Sequence, residues 1–173
     1  DRPGLKAVEL FDAVHDGRVR AVWIMATNPV VSLPDADQVR AALARAELVV
    51  VSDCVDGTDT TAWAHVLLPA AAWGEKDGTV TNSERHVSRQ RAFRAAPGEA
   101  RPDWWIVSQV ARRMGCTGFD YDGPAAIFRE HATLSALPHG SPRRFDLGAL
   151  TGCDRAAYDA LDPAPWPRVA GGH

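Results

Sequence analysis

The sequence predicts an α/β protein in which a parallel sheet is covered by helices on both faces. Two continuous apolar runs, residues 20–26 and 47–53, read as strands buried in such a sheet. Segments with apolar residues at helical spacing precede and separate them, so helix, strand, helix and strand alternate along the chain. The 173 residues, 46% apolar and 24% charged, suit one globular domain with a real core. We place that domain at residues 1–161 and read residues 162–173 as a linker or tail, because its prolines and glycines break regular structure.

Taken in order, residues 5–15 set Leu5, Val8, Leu10, Phe11 and Val14 on one helical face, and Gly17 stops that helix. The first strand, R-A-V-W-I-M-A, ends in Thr27-Asn28-Pro29, which must turn because Pro29 cannot continue a central strand. Residues 34–46 read as a helix with Pro34 in its first turn, Asp35 and Asp37 at the positive end of its dipole, and Val39 and Leu43 facing inward. The second strand ends in Ser52-Asp53. A short helix is expected at residues 59–64, then a third strand, H-V-L-L-P, closed by Pro69. Farther on, Asp103 is positioned to cap a helix reaching Met114, and Gly115 ends it. Residues 125–134 read as an amphipathic helix, 135–142 as loop, and 156–161 as one or two helical turns.

Charge and cysteine usage exclude several classes. A net charge of −3 gives no basic field for nucleic acid, and no apolar run approaches the ~20 residues that cross a bilayer. Cys54, Cys116 and Cys153 are odd in number and form no metal-ligand spacing with the six histidines. We therefore expect reduced thiols and a cytoplasmic chain. The opening Asp1-Arg2-Pro3-Gly4 is not an initiator sequence, and we expect a fragment of a longer polypeptide.

In an open α/β sheet, ligands bind beyond the carboxyl ends of the strands. Thr27-Asn28, Ser52-Asp53 and the polar stretch W-G-E-K-D-G-T-V-T-N-S-E-R-H-V-S-R-Q-R at residues 73–91 all follow strands. Gly74 and Gly78 bracket a tight turn, and T-V-T and H-V-S alternate as short strands do. A lysine, an amide and a guanidinium gathered in one loop can hold an anion, or can be a solvated loop with salt bridges. Asn28 and Asp53 can likewise be ligand contacts or turn and cap residues. No G-x-G-x-x-G phosphate loop is present, which argues against an ordinary NAD domain.

E-K-D-G-T-V-T-N-S-E-R at residues 75–85, followed by P-G-E-A-R-P-D-W-W at residues 97–105, resembles the molybdopterin-dependent oxidoreductases. Within them it is most similar to assimilatory nitrate reductases, with formate dehydrogenase catalytic subunits next. The resemblance implies a molybdenum bis(molybdopterin guanine dinucleotide) enzyme. Residues 5–166 are similar to its third, Rossmann-like domain, which binds one dinucleotide tail. By that similarity Asn28, Ser52, Asp53, Lys76 and Asp103 match cofactor-binding positions, the two aspartates taking the ribose and guanine edges. Thr27, Asn82 and Arg85 are implied as supporting residues, the last two by positioning the lysine loop. His86 stands where the family has a second arginine, so no role is carried over to it.

No catalytic residue and no metal ligand is expected in this chain. The resemblance implies that a 4Fe-4S cluster, the molybdenum ligand and the reactive groups belong to other domains of the same polypeptide. Its partners are then those domains, an electron-donor domain or subunit, and nitrate, and the fragment alone is expected to be inactive. The alternatives are the equivalent domain of a formate dehydrogenase, or a stand-alone nucleotide-binding module without redox activity.

Overall fold

A computed structural model describes residues 3–138 and 145–171. Residues 139–142 of the expected loop and residues 172–173 of the expected tail lie outside the described residues. The chain forms two compact units, Asp1–Ala72 with Ala96–Ile106, and Trp73–Ala95 with Val107–His173.

The first unit has the expected α/β build. Helix α1 (Ala7–His15), strand β1 (Ala21–Met25), a short helix α2 (Pro29–Ser32), helix α3 (Ala36–Arg45), β2 (Leu48–Asp53) and β3 (Val66–Pro69) follow in order. The strands form a parallel sheet, β1-β2-β3, with Val22 opposite Val49, Ile24 opposite Val51 and Asp53 opposite Pro69. Residues two apart along a strand share a face. Val22, Ile24, Val49 and Val51 thus meet Phe11 and Val14 of α1 and Val39 and Leu43 of α3 in one core. Burying each such side chain contributes about 1.5–3 kcal/mol.

Local chemistry shifts some boundaries. Asp35 caps α3 by accepting the Gln38 N–H at 3.0 Å, which leaves Pro34 ahead of the cap instead of inside the first turn. The helix expected at residues 59–64 shrinks to a 3₁₀ turn, Thr61–Trp63, because Thr58 Oγ1 captures the Thr61 N–H and the Trp63 N–H reaches only back to Thr60. The turn after β1 tightens into α2, which Pro29 can start because its first position needs no N–H.

The second unit contains a sheet that the expectation of one parallel sheet did not include. Strands β4 (Gly78–Thr81) and β5 (His86–Gln90) pair antiparallel, with Gly78 opposite Gln90 and Thr81 opposite Val87. The short strand β6 (Ala164–Pro165) lies along the other edge of β5. Helix α4 (Asp103–Arg113) begins in the first unit and ends in the second, and α5 (Pro124–Ser135) and α6 (Arg155–Asp159) follow. Val87, Phe128, Leu147 and Tyr158 form the core, flanked by Phe145 and Trp166. Residues read as a linker therefore include a paired strand. Ala164 is buried, and the Trp166 ring stands edge-on to Phe145 at 5.2 Å, so apolar burial overrides the proline-rich composition there.

Candidate functional site at the strand ends

In the first unit the expected residues gather along the carboxyl-terminal edge of the parallel sheet. Thr27 and Asn28 follow β1, and Ser52 and Asp53 close β2. Beyond β3, Ala70 bridges in parallel to Arg101, which brings Asp103, two residues later, to the same edge. Asp103 is the first residue of α4 and not a cap outside it, since the first helical N–H bonds go to the Pro102 carbonyl. Its carboxylate stands at the positive end of the helix dipole.

The chain is distorted where this edge begins. Ala26 has φ 54°, the left-handed region that costs a residue with a Cβ roughly 1–3 kcal/mol. Its N–H is tied to the Ser52 carbonyl at 2.9 Å, so the sheet enforces the conformation and swings Thr27 out to solvent. Asn28 is half-buried and accepts the Thr60 hydroxyl on Oδ1 at 2.6 Å. That bond turns its amide N–H₂, a double donor, toward other partners. Asp53 Oδ1 accepts the Val55 N–H at 3.1 Å, an Asx turn, and a carboxylate keeps further acceptor positions beyond that bond.

Ser52 differs from its neighbours. It is fully buried, and its Oγ accepts the Trp23 indole N–H at 2.8 Å. The side chain ties β2 to β1 immediately before Asp53. Thr60 and Trp23 are the partners of Asn28 and Ser52. Neither stood out in the sequence, because a buried hydroxyl pairing is visible only once the partner strand is known.

The second unit carries Lys76, Asn82 and Arg85. Lys76 lies between the 3₁₀ turn Trp73–Glu75 and β4. Gly74 and Gly78 do not adopt positive φ. Gly74 instead allows the Phe93 ring to approach where a Cβ would lie 2.4 Å from it. Asn82 and Arg85 form the turn joining β4 to β5, at the other end of the hairpin from Lys76. Asn82 Oδ1 accepts the His86 N–H, Arg85 sits at φ 66°, and its guanidinium lies over the Trp166 ring at 5.5 Å. Arg89 and Gln90, both inside the polar stretch and neither singled out by sequence, reach the Lys76 loop with their side chains. The pairing of Gly78 with Gln90 is what brings them there.

Charge is concentrated at Arg89. Burial opposes its charged form, but hydrogen bonds to Asp77 and Asp159 outweigh it and hold the guanidinium above its ordinary range. Asp159 is correspondingly held below the usual carboxylate range, first by its bond from Arg89 and then by Arg155. Elsewhere, burial pushes the Cys153 thiol up, as expected for a cysteine used as apolar filler. His65 Nδ1 accepts the Val49 N–H, and the His131 ring lies tilted beside that of Phe145 at 5.3 Å; both residues are exposed.

Residues 1–113 match the family described as Molybdopterin oxidoreductase. The chain belongs to the molybdopterin oxidoreductase family. Within this family, it is 57% identical over 166 residues to a nitrate reductase of Klebsiella oxytoca, covering 95% of this chain and 19% of that protein. It is 42% identical over 161 residues to F420-dependent formate dehydrogenase 2 subunit alpha of Methanococcus maripaludis, covering 92% of this chain and 23% of that subunit. Among solved structures, acetylene hydratase from Pelobacter acetylenicus shares the fold with a TM-score of 0.61 and 22% identity, over 69% of this chain and 17% of that one. The chain thus spans about a fifth of the length of each of these proteins.

Proposed function

We propose that this chain is the part of a molybdenum-dependent nitrate reductase that grips a guanine dinucleotide tail of a bis(molybdopterin guanine dinucleotide) cofactor. The observation that carries this reading is the convergence of Asn28, Asp53 and Asp103 on one edge of the parallel sheet, beside the strained Ala26. The donor set fits the ligand. Asn28 offers N–H groups to a phosphate or ribose oxygen, and each carboxylate can accept paired N–H or O–H donors from guanine or a ribose diol. Ser52, through Trp23 and β1, keeps Asp53 in place. Lys76, on the second unit, supplies a point charge for a phosphate. The bound molybdenum supplies two-electron reduction of nitrate to nitrite, while this chain's residues bind and orient.

The nitrate reading rests on the 57% identity to a nitrate reductase, and formate oxidation is the second reading, favoured by the 42% identity to a formate dehydrogenase subunit. A 4Fe-4S cluster, the metal ligand and the electron-donor contact are assigned to the rest of the polypeptide. A cytoplasmic location accords with three free cysteines and with the lack, among the described residues, of any helix long and apolar enough to cross a membrane.

The test uses the full-length polypeptide, with Asp53→Asn, Asp103→Asn and Lys76→Ala. Each variant should purify with less molybdenum and less guanine nucleotide per chain. The reason is that a charge-assisted bond contributes about 1.5–3 kcal/mol, roughly ten- to hundredfold in affinity. Wild-type contents in all three would sink the assignment. Assay of the loaded wild-type protein with nitrate and with formate decides between the two substrates.

A further inference from the structure

The Lys76 loop is met by the end of β5 and by the segment that follows it. The Trp73 carbonyl accepts Gln90 Nε2 at 2.6 Å, and the Lys76 carbonyl accepts the same nitrogen at 3.4 Å. The Gly74 carbonyl takes the N–H groups of Phe93 and Arg94, and Arg94 lies 3.9 Å from the Glu75 carboxylate. The Asp77 carboxylate receives both terminal nitrogens of Arg89, at 2.5 and 2.8 Å, and the Gly78 carbonyl receives one of them at 3.0 Å.

Arg89 cannot follow the loop if the loop moves. Its side chain is 4% exposed, it lies over the Tyr158 ring at 4.1 Å, and it donates to Asp159 at 3.0 Å. The planar fork of a guanidinium can serve a carboxylate in two directions at once, which a lysine cannot. One side of Arg89 is thus anchored on α6 and the other fixes the residue directly after Lys76, while Gln90 fixes the backbone of Lys76 itself.

We propose that Arg89, together with Gln90, is a positioning residue for Lys76, clamping its backbone so that the ammonium is presented in one place to a phosphate of the cofactor tail. This rests on Lys76 being a tail contact. A loop held in its binding conformation loses less freedom when the ligand arrives, so releasing the clamp should weaken retention through Lys76 and by no other route.

The experiment is a double-mutant cycle in the loaded full-length protein, with two readouts: release of guanine nucleotide in dilute urea, and amide hydrogen exchange over residues 73–78. Arg89→Gln should speed exchange at these amides about tenfold or more and speed nucleotide release. In a Lys76→Ala background it should still speed exchange yet add nothing to release. If the two effects on release multiply in the double variant, or if exchange over residues 73–78 is unchanged, Arg89 does not act through Lys76 and the proposal fails. Wild-type release from Lys76→Ala alone removes the underlying contact, and is told apart because Arg89→Gln would still alter exchange. Should Arg89→Gln not accumulate, Gln90→Ala leaves the buried charge network intact and carries the same expectations.

Discussion

The first unit packs valines and a leucine between a parallel sheet and two helices, whereas the second ties its antiparallel sheet to α6 through one buried arginine. The difference separates two ways of fixing a loop. At the sheet edge of the first unit, Asp53 is placed by the ladder itself, because a strand whose inner face is buried has only one register. In the second unit the hairpin is short and half-exposed, so apolar burial fixes little, and the Lys76 loop depends on charge-assisted bonds to Arg89. Strand ends inherit their precision from the core, while a loop on a small sheet needs its own polar anchor.

Three measurements would break or sharpen that contrast. The largest effect is expected from Leu43→Ala, which empties a site only 1% exposed beneath β1 and β2. It should cost about 2–5 kcal/mol in the first unit, read as faster amide exchange in β1 and β2, with the second unit little changed. Equal loosening of β4 and β5 would mean that the two units are not separately stabilised.

Acid should act on the second unit instead. The folded-state pKa of Asp159 is lowered by Arg89, so the stability it contributes is complete above its unfolded value of 3.8 and is lost as pH falls through the lower folded value. The difference in urea midpoint between wild type and Asp159→Asn should therefore be constant from neutral pH down to about 4 and close below it. A difference that closes between pH 5 and 7 would show that another group governs the network.

The smallest effect is expected at Tyr158. Its hydroxyl is buried without a hydrogen-bond partner among the described residues, while its ring lies against Arg89. Tyr158→Phe keeps the ring and removes an unsatisfied polar group, so it should be neutral or stabilise the second unit by up to about 1 kcal/mol in thermal unfolding. A clear loss of stability would mean that the hydroxyl has a partner when the protein is in water.

What could be read from the residues divides along the same line. The strands of the first unit announced themselves as apolar runs, and their ends at Asn28 and Asp53 followed from Pro29 and from the turn residues beyond. Ser52 looked equivalent to Asp53, but period-two alternation turns neighbours to opposite faces, and the serine lies on the face of Trp23, whose indole N–H it accepts. In the second unit T-V-T and H-V-S gave β4 and β5 by alternation, while β6 hid in a stretch whose prolines signal a linker.

The sequence by itself determined the α/β alternation of the first unit, the polar stretch around Lys76 and the family, because each is written in local pattern or in motif. Only the tertiary structure decided that Asp103 joins Asn28 and Asp53 on one edge, through the bridge from Ala70 to Arg101. It alone chose Arg89 from among many arginines as the one buried between Asp77 and Asp159. Contacts between residues 70 apart in the chain depend on strand pairing and helix packing, and no local spacing encodes them.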